Sequence, residues 1–368
     1  MISNFFLHRF MSIFLCSIFL LATLFGCSAS QNREPNSINT PTENSTFSVQ
    51  FLDVGQGDCA LVECDGQYML IDGGNEDASV RILHVLKEQG IDHLDIVVAT
   101  HLHDDHISGL TAVLKEIDAD LVLCNSKKAD SEVFKSFRKQ AIWHGNGIEV
   151  PRAFDKYTLG SAEIIVLSVN AGSTAHDASL MLKIIYGETA FLFAGDASES
   201  TERALLENKI DFVANDVDLS ANVLKVSRHG SKDASCYTFL RTVMPDHAVI
   251  SVGADNIGGY PDEDTLKRLY DADALVYRTD LHGDISCVSD GKVVSFTTAI
   301  DVPPITRDRM EEERAKAELE GQYIANKRSG KFHTATCSIF PKEVNSVYFA
   351  SREEAISEGF SACRLCNP

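Results

Sequence analysis

Residues 100–110 read Thr-His-Leu-His-Asp-Asp-His-Ile-Ser-Gly-Leu, which places His101, His103 and His106 with Asp104 and Asp105 inside six positions. Imidazole nitrogens and carboxylate oxygens are the donors that zinc and similar divalent cations take. His101 and His103 alternate as side chains at a strand end do, and Asp105 and His106 are expected to turn in from the loop that follows. A second ion beside the first would need a carboxylate and a histidine of its own. The competing reading is a solvated polar loop whose histidines are incidental. The spacing favours a metal centre that activates water, a hydrolase chemistry.

The elements that must position these groups are legible as short apolar runs. The motif follows a strand expected at 94–99, which the sequence ends with Ile96-Val97-Val98-Ala99. Earlier strands are expected at 49–54, 59–63 and 68–72, separated by glycine-containing turns. An amphipathic helix is expected at 80–89 with Gly90 as its stop, and another at 110–117. The second half repeats the rhythm, with strands at 163–167, 179–185, 190–194, 222–226, 247–252, 274–278 and 283–288 and a helix at 198–206. Two such halves fit two sheets packed face to face with helices outside.

At 368 residues the chain is long enough for two domains, or for one large domain and an appendage. Its formal net charge of −20 excludes adhesion to nucleic acid by bulk electrostatics, so such a substrate must be held by local cations or metals. His8 and Arg9 precede an apolar run over 10–25, the length of a signal-peptide core. Leu24-Phe25-Gly26-Cys27 resembles a bacterial lipobox, which implies acylation of Cys27, a membrane tie through a lipid anchor and an extracellular location; the alternative is an uncleaved membrane anchor. Residues 28–46, rich in Ser, Asn, Thr and Pro, read as a disordered tether. Ten cysteines on an exported chain first suggest disulfides. Cys59, Cys64, Cys124, Cys236 and Cys287 form no framework pattern, however, and several sit in strand-like runs, so buried free thiols are expected.

The residues Thr100-His101-x-His103-x-Asp105-His106-x-x-Gly109 resemble the signature of the metallo-β-lactamase superfamily. Phe51-Leu52-Asp53-Val54-Gly55-Gln56-Gly57-Asp58 and Leu70-Ile71-Asp72-Gly73-Gly74 resemble its ComEC-like branch. The similarity runs over about residues 47–298. It implies an α/β fold, the αβ/βα metallo-β-lactamase sandwich, over 47–300, with two divalent metal ions, zinc or manganese, at one edge. Asp53, Asp58 and Asp72 stand at strand ends where they can orient ligating histidines, and glycines 55 and 57 allow close backbone approach. Asp196, after the strand Phe191-Leu192-Phe193-Ala194-Gly195, matches the carboxylate that bridges two metals; capping the next helix is its other possible use. His229, in Ser227-Arg228-His229-Gly230-Ser231, matches the remaining ligand of the second metal. His176 falls where the superfamily places a third histidine of the first site, with Asp177 or a plain polar loop as alternatives. The resemblance thus implies His101, His103 and His176 around one ion, Asp105, His106 and His229 around the other, and Asp196 between, with Asp105 also available as a proton acceptor. Arg228, where many relatives have a second histidine, can clamp a phosphate through its planar fork or face solvent. Tyr260 stands where relatives commonly carry a histidine before proline.

Beyond a charged linker helix over 301–321, His333-x3-Cys337 and Cys363-x-x-Cys366 have the spacing of a closed structural zinc site. Over 322–368 the sequence is similar to the metal-binding domain of the Ada family, and Lys327, Arg328, Lys331, Lys342, Arg352 and Arg364 offer cations to DNA or to water. A Cys363–Cys366 disulfide is the alternative. The expected function is an extracellular, lipid-anchored, metal-dependent phosphodiesterase acting on DNA. A hydrolase of a small ester, lactam or nucleotide, or a non-catalytic DNA-binding or uptake-accessory lipoprotein, stands behind it.

Overall fold

The computed structural model describes residues 45–309, 323–334 and 346–364 with positions 337, 366 and 368, apart from 127–128, 172–173, 175, 208 and 255. The signal segment 1–27 with Cys27, the tether up to residue 44, Lys342 and the linker from residue 310 lie outside the described residues.

Alternation of side chains builds the first sheet. In β1 (Phe47–Phe51) Phe47, Val49 and Phe51 are buried while Ser48 and Gln50 are half-buried, the period of two of a pleated strand. The chain continues through β2 (Ala60–Cys64), β3 (Gln67–Ile71), β4 (His93–Ala99), β5 (Asp118–Cys124) and β6 (Ile148–Glu149). The second sheet takes β7 (Lys156–Leu159), β8 (Ala162–Ser168), β9 (Met181–Tyr186), β10 (Thr189–Phe193), β11 (Val223–Lys225), β12 (His247–Ile250) and β13 (Leu275–Arg278). The chain then returns to the first with β14 (Ile285–Ser289) and β15 (Val294–Thr298). The sheet orders are β15-β14-β1-β2-β3-β4-β5-β6 and β13-β12-β11-β10-β9-β8-β7. Each sheet is antiparallel in one half and parallel in the other, the parallel pairs being β3 to β6 and β10 to β13. Both are therefore mixed.

Three apolar layers hold the sandwich. Val49, Phe51, Val98, Val166, Leu182 and Phe191 fill the space between the sheets. Helices α1 (Ser79–Glu88), α2 (Asp104–Glu116) and α3 (Glu132–His144) cover the outside of the first sheet with Ile82, Leu110 and Phe137. Helices α4 (Glu199–Glu207), α5 (Lys209–Ala214), α6 (Tyr237–Val243) and α7 (Glu263–Asp271) cover the second with Leu205, Phe212, Phe239 and Leu269. Buried on both faces, β4 needs apolar residues without alternation, and Ile96 to Ala99 supply them.

The structure corrects the sequence at the motif itself. The helix expected at 110–117 begins at Asp104, so Asp105 and His106 project from its first turn and not from a loop. His103 is extended, with φ −76° and ψ 154°, and marks the boundary. Asp104 and Asp105 suit a helix start, where free N–H groups favour carboxylates, and Ile107, Leu110, Val113 and Leu114 then recur on the buried face. Residues 118–159 carry β5, α3, β6 and β7, none of them expected from the sequence. In α3 the exposed Ile142 and Trp143 blur the helical period. The strand expected to run to residue 54 stops at Phe51.

Helix α2 crosses the loop after β3 at backbone contact. A Cβ on Gly109 would lie 1.8 Å from the Gly73 carbonyl oxygen, and one on Gly73 would lie 2.4 Å from the Leu110 nitrogen. The Gly73 N–H donates to His106 O at 2.8 Å and the Gly109 N–H to Gly74 O at 3.1 Å. Separately, β16 (Tyr323–Asn326), β17 (Lys331–His333), β18 (Ser346–Phe349) and β19 (Ser361–Ala362) form a small sheet of order β18-β16-β17-β19. Phe332, Phe349 and, from helix α8 (Arg352–Ser357), Ala355 supply its core.

Candidate metal centre

The carboxyl ends of parallel strands from both sheets meet at one edge, where open α/β sheets place their ligands. Asp72 follows β3, His101 and His103 follow β4, Asp196 follows β10, and Arg228 and His229 follow β11. Two groups of donor atoms result. His101, His103, His176 and Asp196 bring one ligand atom each to within 4.8 Å of one another, and Asp105, His106 and His229 do the same. Asp196, a member of the first, also faces the second. Its Oδ2 lies 3.5 Å from His101 Nε2 and 3.2 Å from His176 Nδ1. Its Oδ1 lies 3.6 Å from His106 Nε2 and 4.0 Å from His229 Nε2. His176 therefore joins the first group, while Asp177 turns away and accepts the hydroxyls of Ser198, Ser200 and Thr201 at the start of α4. Asp105 Oδ2 closes the second group, 3.4 Å from His229 Nε2.

These atoms fit cations. Both nitrogens of His101, Nε2 of His106 and of His229, and Oδ1 of Asp196 are buried without a hydrogen-bond partner. Each such orphan costs about 1–3 kcal/mol unless something satisfies it. The local field agrees. Burial, then His106, holds His101 well below the ordinary imidazole range, and burial with His176 lowers His103, which keeps both in the neutral, ligating form. Burial alone would lower His106 too, but Asp72 and Asp196 outweigh it and hold it at about 9. His229 is raised well above its usual value against burial by Asp105 and Asp58. Asp196 is held far down, because His106, His176 and His229 overcome its burial. An interior that draws protons onto two imidazoles is one whose potential favours positive charge.

Acceptors behind the ligands set their orientation. His106 Nδ1 lies 2.9 Å from Asp72 Oδ2, which also accepts the Thr100 hydroxyl at 2.6 Å, while Asp72 Oδ1 accepts the Thr100 N–H at 2.8 Å. Nε2 is thereby turned to the centre. Asp58 Oδ1 lies 3.3 Å from His229 Nδ1, which donates to the Ser251 carbonyl at 2.9 Å. Asp53 does not share this duty. Its carboxylate accepts the Gly55 N–H at 3.2 Å, and its own N–H donates to Asp284, paired with Arg81. Gly57 allows the expected close approach, since a Cβ there would lie 2.5 Å from Asp105 O, whereas Gly55 faces open space and serves the turn with φ +73°. Arg228 is half-buried, and its guanidinium makes no ion pair among the described residues. Tyr260 sits with its ring 6.1 Å from that of His229.

A family model for the metallo-beta-lactamase superfamily matches residues 52–254. The chain belongs to that superfamily. Similar proteins include ComE operon protein 3 of Bacillus subtilis, 26% identical over 70% of this chain and 35% of the relative. Recombination protein 2 of Haemophilus influenzae is 27% identical over 65% of this chain and 28% of the relative. The chain spans about a third of the length of these curated relatives. Among solved structures, the metallo-beta-lactamase fold protein YhfI from Bacillus subtilis aligns over 68% of this chain and 100% of its own, at 12% identity and a TM-score of 0.42. The sandwich is that of the superfamily, in a chain similar over this region to proteins of competence and recombination.

A second model, the metal binding domain of Ada, matches residues 310–368. His333, Cys337, Cys363 and Cys366 offer ligand atoms within 4.8 Å of one another. Hydrogen bonding from Cys337 outweighs burial and, with His333, holds Cys366 at about 4, in the thiolate form that metals take. No disulfide joins the cysteines among the described residues, Cys363 and Cys366 included, so the disulfide alternative is not seen.

Two contributors escaped the sequence reading: Thr100 holds Asp72, and Lys225 donates to Asp58 at 2.7 Å. Asp177, read there as an alternative ligand, instead pins the segment beside His176 to α4. A lysine inside the apolar run Leu224-Lys225-Val226 was the one signal available.

Proposed function

We propose that the chain is a lipid-anchored extracellular phosphodiesterase that cleaves DNA with two divalent cations, zinc or manganese. The observation that carries the reading is Asp196, which presents one carboxylate oxygen to each donor group. His101, His103 and His176 would hold one cation and Asp105, His106 and His229 the other, with Asp196 shared. When bound, the cations lower the pKa of water toward neutrality and neutralise charge on a phosphoryl oxygen. Asp105 is the most open carboxylate of the centre, its side chain 28% exposed, and takes the proton released by the attacking water. Arg228, beside His229 and without an ion pair among the described residues, binds the phosphate. Asp72 and Asp58 keep His106 and His229 oriented. Relatives named for recombination and competence favour nucleic acid as the substrate class. The four-ligand C-terminal cluster would hold one structural zinc and help retain DNA.

The test is incubation of the purified chain with single- and double-stranded DNA plus manganese or zinc, beside a His101→Ala control. Metal-dependent cleavage absent from the control is expected. Intact DNA alongside hydrolysis of a chromogenic phosphodiester or a lactam would overturn the nuclease reading. Radiolabelled fatty acid should enter the protein in cells and fail to enter Cys27→Ser.

A further inference from the structure

We propose that Lys225 is a positioning residue for the second donor group, acting through Asp58 on His229, an inference that rests on the two-cation reading above. In β11, Val223 faces the space between the sheets and Leu224 the outer helices. Alternation then aims Lys225 between the sheets, at the centre of the sheet, in register with Phe193 on one side and Val249 on the other. A lysine rarely occupies such a place. Its Nζ meets Asp58 Oδ2 at 2.7 Å and the Val226 carbonyl at 3.2 Å, and the two side chains of the ion pair are 4% and 6% exposed.

Lys183, another buried strand lysine of the same sheet, provides the contrast. Its amine reaches Asp218, whose side chain is 74% exposed, so that pair ends in water. The Lys225–Asp58 pair is interior at both ends. Interior pairs return little net stability, because desolvation offsets their attraction.

The geometry shows where the pair does act. With Oδ2 fixed by Lys225, Asp58 Oδ1 is left beside His229 Nδ1. The Asp58 N–H also donates to the Asp105 carbonyl at 3.2 Å. Asp58 thus touches His229 and Asp105, both of the second group, and no member of the first is among its contacts in the described residues. Lys225 joins one sheet to the loop of the other and sets the carboxylate that backs His229. Without it, Asp58 is free to rotate as an unpaired charge onto the second group.

The experiment titrates the metal-depleted full chain with manganese, following ion stoichiometry and the electron paramagnetic resonance signal. Wild type should bind a spin-coupled manganese pair. Lys225→Met should weaken the second ion about 10–100-fold, replacing the coupled signal by that of an isolated ion, while Lys183→Met should bind as wild type does. Should Lys225→Met fail to fold, the Asp58→Asn/Lys225→Met double variant leaves no lone interior charge and should show the same selective loss. Retention of both ions at wild-type affinity overturns the inference, as does equal weakening of both, which would make the pair a brace between sheets. A wild-type chain that binds no manganese pair overturns the two-cation reading instead.

Discussion

Replacing Asp72 by asparagine should weaken metal binding without disturbing the backbone. Asp72 has φ +56°, a conformation asparagine tolerates about as well as aspartate, so the change is confined to one oxygen. The retained carbonyl keeps the Thr100 N–H. The new amide, however, replaces Oδ2, which faces the Thr100 hydroxyl at 2.6 Å and His106 Nδ1 at 2.9 Å. The hydroxyl can rotate to accept. The imidazole can accept only by moving its proton to Nε2, the nitrogen that faces Asp196 Oδ1 at 3.6 Å. A cation at Nε2 must then force the proton back against the amide, which leaves one buried donor unsatisfied. That costs about 1–3 kcal/mol, in line with the 10–100-fold loss, about 1.4–2.7 kcal/mol, typical of changes behind a ligand. The assay is equilibrium titration of metal-depleted protein against a chromophoric chelator, with DNA cleavage followed at limiting and saturating metal. Cleavage should fall at limiting metal and largely return at saturation. An affinity within twofold of wild type would refute the reasoning, and Thr100→Val, which leaves His106 Nδ1 its carboxylate, should cost less than Asp72→Asn.

Arg228→Ala should raise KM for a phosphodiester about 10–100-fold, the loss of one charge-assisted contact, while hydrolysis of an uncharged ester by the same protein changes little. Cys363→Ser should remove one zinc per chain by elemental analysis and speed hydrogen exchange over 323–334 and 346–364, leaving manganese binding at the central site intact. Glu202 is buried, and burial outweighs the N–H groups of Cys236 and Ser235 to lift it from 4.5 to about 7. The folded state therefore binds the extra proton, and stability should fall as pH rises from about 4.5 through 7, by about 3 kcal/mol in all. Urea unfolding of Glu202→Gln should lack this slope and show a constant loss of about 1 kcal/mol for the missing acceptor.

Much of the centre was legible because its first four donors are neighbours in the chain. His101, His103, Asp105 and His106 span one strand end and one helical turn, and no tertiary information is needed to see that they converge. Asp196 and His229 were reached through resemblance, and the structure brings both beside the motif. What could not be read depends on pairings across the sandwich. Lys225 meets Asp58 at a separation of 167 residues, and its place in an apolar run marks it as unusual without naming its partner. Asp53 and Asp58 look alike in sequence, each within two residues of a glycine at a loop, yet only Asp58 faces the histidines. The helix start was misjudged for a related reason: its first turn is polar because it faces the centre, so the apolar period begins only at Ile107.

The contact between Gly73 and Gly109 carries a consequence for inheritance. With 1.8 Å between the Gly73 oxygen and any methyl at 109, neither position can drift alone, since a side chain at one forces helix α2 away from the loop that holds Asp72. The core between the sheets, on the other face of the first sheet, can survive that separation, while the 2.9 Å link between Asp72 and His106 cannot. Descendants of this chain that retain every histidine but have lost either glycine should therefore be fossils of the hydrolase, recognisable from two letters of sequence.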